Sequence, residues 1–197
     1  MAYKIITVSR MFGTGGRTIG KALAEALNVP YYDKNVIQLV ADETGFHPDY
    51  VAERGEHAPS KMGLGYGILG RDAQGISNED LLWSAQCHVI KSLAEQGPSV
   101  IVGRCADYLL ADRDDVLHVF IYADSDFRAK YIVEHYGETA KKPARRIAEQ
   151  DKKRRLNYRY CTGREWGDPN NYHLVLNSGK LGIENTVKLI LEAYNQE

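Results

Sequence analysis

Ile5-Ile6-Thr7-Val8-Ser9-Arg10-Met11-Phe12-Gly13-Thr14-Gly15-Gly16-Arg17-Thr18-Ile19-Gly20 starts as an apolar, β-branched run, turns into a glycine cluster and passes straight into a helical pattern. That order is a strand, a phosphate-cradling turn and a helix N-terminus. Gly13, Gly15 and Gly16 let the backbone curl so that several N–H groups point at one anion. Counted against the P-loop pattern G-x-x-x-x-G-K-[ST], Met11 stands at the first glycine, Arg17 at the lysine and Thr18 at the Ser/Thr. The strict pattern fails at two places, and a variant remains. In it, Arg17 presents a fork of donors to phosphate oxygens, and Thr18 offers a hydroxyl to magnesium. The competing account is a glycine-rich βα turn that binds nothing, with Arg17 on the surface.

Outward from the loop, strand and helix signals alternate, which predicts βα units and a parallel sheet. Strands are expected at about 3–8, 31–32, 99–102, 116–122 and 173–176. Helices are expected from the loop to Leu27, over 34–43, from a Ser77 cap to Gln96, to Ala111, to Gly137, from Pro143 to about Tyr160, and at the C-terminal end. Residues 44–77 show little periodicity, carry Gly63, Gly65, Gly67, Gly70 and Gly75, and read as a mobile insertion. The result is one three-layer α/β domain over residues 1–197, with a mobile region at about 34–96. In such a sheet, ligands sit beyond the C-terminal strand ends. That rule selects residues 9–18, Asp33, Gly103-Arg104, Ala123-Asp124 and Asn177-Ser178.

The composition, 44% hydrophobic and 26% charged in 197 residues, is that of a soluble globular chain. A net charge of −1 provides no overall field for nucleic acid or membrane. The first apolar run is too short for a signal peptide or a membrane span. Cys87, Cys105 and Cys161 are widely spaced and form neither a disulfide framework nor a zinc pattern, so a reducing, cytoplasmic location is expected.

Several further residues carry candidate chemistry. Asp33, ending strand two, could orient an attacking group or hold magnesium through water, or simply cap the next helix. Arg104 directly follows a buried apolar strand, which points to an anion partner; a plain ion pair with Asp107 competes. Residues 141–164 hold ten basic side chains against two acids, a local charge of +8. They read as a solvated face, a nucleic-acid patch, or an arginine lid that closes on transferring phosphates. The glycine loop favours the lid. Asp151 and Arg154, three apart, share a helix face and could hold a ribose or phosphate, or each other.

These residues resemble the cytidylate kinase-like family, a branch of the nucleoside monophosphate kinases. The resemblance rests on SRMFGTGGRTIG (9–20), YYDKNVI (31–37), VIVGRCADYLLADRDDVLHVFIYADSDFRAKY (100–131) and EQDKKRRLNYRYCTGREWGDPNNYHLVLNS (149–178), in the same order. It implies a P-loop NTPase fold with a five-stranded sheet of order 2-3-1-4-5, and ATP-dependent, magnesium-dependent phosphoryl transfer to a nucleoside monophosphate, CMP or dCMP. The implied donor site is Gly13, Thr14, Gly15, Gly16, Arg17 and Thr18, with Thr18 on the metal. The implied acceptor site is Asp33, Arg104, Asp151 and Arg154. Arg145, Arg146, Arg155 and Arg159 fall in a lid at about 139–165. Arg17, Asp33, Arg104 and Arg154 would carry the catalysis. Departures are Arg17 for the P-loop lysine, Cys105 where cytidylate kinases have the aspartate of Gly-Arg-Asp, and Val102 where an acidic residue could end strand three. Those departures support an alternative, a nucleotide-binding sensor or partner protein without turnover. The expected partners are nucleotides, with no membrane, and nucleic acid disfavoured.

Overall fold

The structure, a computed structural model, describes residues 3–54 and 77–196. The strands are β1 (Ile5–Arg10), β2 (Tyr31–Tyr32), β3 (Ser99–Val102), β4 (Val116–Tyr122) and β5 (Leu174–Asn177). They form one parallel sheet of order β2-β3-β1-β4-β5, as the resemblance implies. The helices are α1 (Gly16–Leu27), α2 (Asn35–Thr44), α3 (Pro48–Arg54), α4 (Asn78–Glu95), α5 (Ala106–Leu109), α6 (Ser125–Tyr136), α7 (Pro143–Thr162), α8 (Ser178–Leu181) and α9 (Ile183–Tyr194).

The core lies on both faces of the sheet. Ile6, Val8, Val102 and Val119 pack with Ile19 and Leu23 of α1 and Ile190 of α9. Ile5, Ile101 and Val116 face the other way, onto Val40 of α2 and Ile90 and Leu93 of α4. Burial on both faces is why β3 and β4 read as unbroken apolar runs. Thr7 faces the second layer too, where its Oγ1 lies 2.8 Å from Nδ1 of His118, its partner across the ladder.

Two expectations change. β1 runs past Val8 to Arg10, because the seven residues of β4 continue the ladder through Ser9↔Phe120 and Arg10↔Ile121. The polar pair Ser9-Arg10 is therefore inside the sheet, with both side chains buried. The expected loop at 44–77 also begins with a helix, α3, which opens on Pro48 with Asp49 in its first turn and buries Val51 against the core. Residues 55–76, which include the five glycines of the expected insertion, lie outside the described residues. Ser77 caps α4 as expected, its Oγ accepting from the Asp80 N–H at 3.1 Å.

Candidate functional site

The glycine loop connects β1 to α1. Gly15 caps the helix in the left-handed region (φ 73°), no side chain bonds the first N–H groups, and no acid sits in the first turn. A helix start left in that state offers donors and partial positive charge to an anion. The loop is fixed from behind. Thr14 is fully buried and donates to the Met11 carbonyl at 3.0 Å, and Ser178 at the start of α8 donates to the Thr14 carbonyl at 2.8 Å. At Phe12 the backbone is gripped on both sides. Its N–H donates to Asp151 Oδ1 at 2.8 Å, and its carbonyl accepts from Arg128 Nη1 at 3.4 Å. Arg128 also pairs with the other oxygen of Asp151. Helices α6 and α7 thus hold the loop through one buried ion pair.

Asp33, at the end of β2, lies between two arginines. Arg17 Nε is 2.8 Å from Oδ2, with its N–H not aligned as a hydrogen bond, and Arg10 Nη2 is 3.6 Å from Oδ1. Asp33 is not the cap of α2, which is Lys34 with no side-chain bond. Arg154 of α7 donates from Nη1 to the Arg10 carbonyl at 3.0 Å and lies 5.8 Å over the Phe12 ring.

β3 ends in Gly103-Arg104-Cys105, three successive residues at φ 76°, 59° and 55°. Two non-glycine residues in that region cost on the order of 1–3 kcal/mol each and persist where surrounding structure enforces them. Here the buried amide of Gln86 on α4 donates to the Arg104 carbonyl at 3.2 Å. Beneath this turn, buried Asp107 accepts from Ser9 Oγ at 3.0 Å and from the Tyr158 hydroxyl at 2.7 Å. Burial pushes the Asp107 carboxyl above its ordinary value, and the two hydrogen bonds pull against that rise.

Two clefts open on this floor. One is lined by the loop from Arg10 to Arg17 together with Tyr136 and Arg154. The other is lined by Ser9, Arg10, the Gly103-Arg104-Cys105 turn, Arg154, Asn157, Tyr158 and Trp166. Arg10 and Arg154 belong to both. The combined lining contains four arginines, Arg10, Arg17, Arg104 and Arg154, and no carboxylate. A paired cleft of this charge fits one phosphate chain and a second anion beside it.

The loop and arginines fit nucleotide phosphates. Among the described residues, the side chains expected at magnesium are engaged elsewhere. The Thr18 hydroxyl shares a 2.8 Å hydrogen bond with Tyr131, Asp33 is held by two guanidinium groups, and Ser9 donates to Asp107. Among the described residues no group of three or more His, Cys, Asp or Glu side chains could hold a metal ion.

The structure therefore brings together most of the residues expected from sequence: the loop, Arg17, Asp33, Arg104 and Arg154. It places Asp151 behind the loop, with both carboxylate oxygens on Phe12 and Arg128. Of the lid arginines, Arg145 pairs with Glu149 at 2.9 Å, Arg159 with Glu165 at 3.1 Å, Arg146 donates to the Gly137 carbonyl at 2.7 Å, and Arg155 is exposed. None of the four lines the two clefts. Sequence reasoning selected Ser9 and Arg10 only as part of residues 9–18, with no role for either, weighed Asp107 only as an ion-pair partner of Arg104, and missed Arg128 and the Ser9–Asp107–Tyr158 network. For Arg10 the signal was present: it directly precedes the loop at the end of the apolar strand.

Comparison with known proteins fits this geometry. The model of the cytidylate kinase-like family matches residues 5–180. The cytidylate kinase of Pyrococcus horikoshii is 23% identical over 190 residues, covering 96% of this chain and 87% of that one. The cytidylate kinase of Aeropyrum pernix is 25% identical over 181 residues, covering 91% and 92%. Among solved structures, an uncharacterized protein from Eubacterium ventriosum superposes with a TM-score of 0.72 at 24% identity, over 98% of this chain and 99% of that one. A gluconokinase from Sinorhizobium meliloti superposes at 0.57 and 15% identity, covering 98% and 93%.

Proposed function

The chain belongs to the cytidylate kinase-like family, and from that premise we propose that it moves the terminal phosphoryl group of ATP to a nucleoside monophosphate, CMP or dCMP by likeness to its relatives. The observation that carries the proposal is the arginine floor shared by two adjoining clefts, with an uncapped helix start on one side. The donor phosphates would lie on the loop amides from Gly13 to Thr18, with Arg17 at the edge, oriented by Asp33. The monophosphate would lie in the second cleft against Arg104 and Arg154. Phosphoryl transfer leaves little covalent work to the protein, so positioning and positive charge are what these residues supply. Asp151 acts through the loop it braces. Residues 139–165 serve as a lid by carrying Arg154 and Asp151, and closing it would exclude water. Magnesium would enter on the nucleotide, as part of that substrate.

A coupled assay over a panel of nucleoside monophosphates tests this. Turnover should depend on an acceptor, with the pyrimidine monophosphates fastest. Folded, magnesium-replete protein that turns over none of them sinks the proposal. A second reading, nucleotide binding without turnover, draws support from the Thr18–Tyr131 bond, which occupies the hydroxyl expected at the metal. A melting temperature raised by ATP, with no acceptor giving turnover, selects that reading.

A further inference from the structure

Arg10 threads between two glycines. A Cβ on Gly16 would lie 2.7 Å from both Cβ and Cγ of Arg10, and one on Gly103 would collide with its Nη1. Gly16 is an ordinary helical residue, the first of α1, with Gly15 as its cap. Space therefore requires glycine there. In the P-loop pattern the lysine follows the last glycine and opens the helix, and the strand leads into the first glycine. Counting back from the cap Gly15 puts Arg10 at the first glycine and Gly16 at the lysine. The chain has a cation where the pattern has glycine, and glycine where the pattern has its cation.

We propose that Arg10, reaching up from the end of β1, contacts the phosphoryl group in transit in place of a helix-borne lysine, and that Gly16 is bare to let it through. The inference rests on the phosphoryl-transfer reading. Three observations converge on it. Arg10 is only 8% exposed, yet it lines both clefts. Its nearest carboxylate, Asp33, is held more closely by Arg17, at 2.8 Å against 3.6 Å. Two guanidinium groups on one carboxylate leave a net positive charge, and Arg10 is the buried one of the two, with a side chain 9% exposed against 37% for Arg17; a buried cation sharing its carboxylate calls for an anion. Its guanidinium also lies against Gly103, at the seam between loop and turn, where a group passing from donor to acceptor must cross. If Arg10 only neutralised Asp33, its place in both clefts would not follow.

Calorimetric titration with a non-hydrolysable ATP analogue and with ADP tests the assignment without turnover. Arg10→Gln should weaken the analogue by about thirtyfold or more, and ADP by less than about threefold, because a charge-assisted bond to the terminal phosphate alone is lost. Arg10→Gly combined with Gly16→Lys should recover most of the analogue affinity. Melting temperatures give a second measurement. Gly16→Ala should destabilise the natural protein and be tolerated in the Arg10→Gly background. Unchanged analogue affinity in folded Arg10→Gln, or a Gly16→Ala cost independent of residue 10, overturns the assignment. Absence of turnover with every monophosphate would sink the kinase reading and the transfer role with it, while the titrations would still decide whether Arg10 holds the terminal phosphate. Failure of the natural protein to bind either nucleotide overturns both.

Discussion

Along α7, Asp151, Arg154 and Tyr158 recur at spacings of three and four and turn toward the sheet, while Lys152, Arg155 and Arg159 on the same turns stay exposed. The inner side chains each reach a different element: the Phe12 backbone, the Arg10 carbonyl and the buried Asp107. The outer ones meet close neighbours in sequence, as in Arg145–Glu149 and Arg159–Glu165. The three inner residues sum to zero formal charge and the three outer ones to +3, yet what sets the two sides apart for an anion is dielectric. A guanidinium in a closed cleft acts on a phosphate with little screening, whereas one in water is largely neutralised by it. Charge density along the sequence located the helix. Burial separates its two faces.

The strongest way to break this contrast is Arg154→Gln. Arginines that stabilise transferred phosphoryl charge are worth about 10³-fold or more in turnover. We expect kcat to fall roughly a thousandfold, about 4 kcal/mol of transition-state stabilisation, with the melting temperature nearly unchanged. Steady-state kinetics beside a thermal melt measures both, and a loss of stability without a kcat defect would make Arg154 a packing residue.

Asp151→Ala should act in the opposite manner. It strands Arg128, whose side chain is 13% exposed, and removes the acceptor for the Phe12 N–H. Breaking one side of a buried ion pair costs about 3–5 kcal/mol. Urea denaturation should register a loss of that order. If Asp151 instead contacts the acceptor directly, Asp151→Asn will raise the KM for the monophosphate while leaving the denaturation midpoint in place.

A pH scan separates the sheet from the helix. Burial holds His118 down at about 4 from 6.5, and its neighbours His173 and Arg164 push it the same way. A base with a lowered folded pKa binds fewer protons folded than unfolded. Its stabilisation is complete above pH 6.5 and is lost as pH falls toward 4. Each pH unit crossed between those two values removes about 1.4 kcal/mol, roughly 3 kcal/mol in all at most. Asp107, raised by burial, has the opposite sign: its contribution is complete below the unfolded carboxylate value and is lost as pH rises through the folded one. His118→Gln should flatten the acid side of the stability profile, and denaturation at pH 7 and pH 5 measures it. A slope unchanged in that variant would assign the acid sensitivity to another group.

Much of the fold was legible because its signals are local. β3 and β4 are apolar runs whose bounds match, and Ser77 announces its own helix. β1 was cut short because Ser9 and Arg10 are polar, and only pairing with β4, a contact over a hundred residues distant, keeps them in the sheet. Helix α3 was hidden because it is seven residues long with one buried valine among its polar positions. Of the site, the residue types were readable and their partners were not. Asp33 allowed capping or catalysis equally, and the ion pairs with Arg10 and Arg17 come from three separate strand ends or helix starts. The motif register read from the sequence puts Met11 at the first glycine and Arg17 at the lysine, but three glycines in four residues permit a second count, and the Arg10 side chain lying against Gly16 favours that one.

The smallest effect belongs to the outer face of α7. Replacing Arg145, Arg155 and Arg159 together by Gln removes three positive charges, and any lid role for them should then appear as lost turnover. The geometry argues otherwise. Arg145 and Arg159 have side chains 72% and 68% exposed, and exposed pairs with acids contribute little. We expect kcat to change less than about threefold, with no resolvable change in the denaturation midpoint. The triple variant also tests the nucleic-acid reading of this segment, whose retention on DNA or RNA would fall steeply with salt. Retention by the natural protein at low salt that vanishes in the triple variant would make the outer face a second working surface. A kcat loss approaching that of Arg154→Gln would mean that closing the lid turns the outer face inward, and the contrast between the two sides of α7 would then describe only the open state.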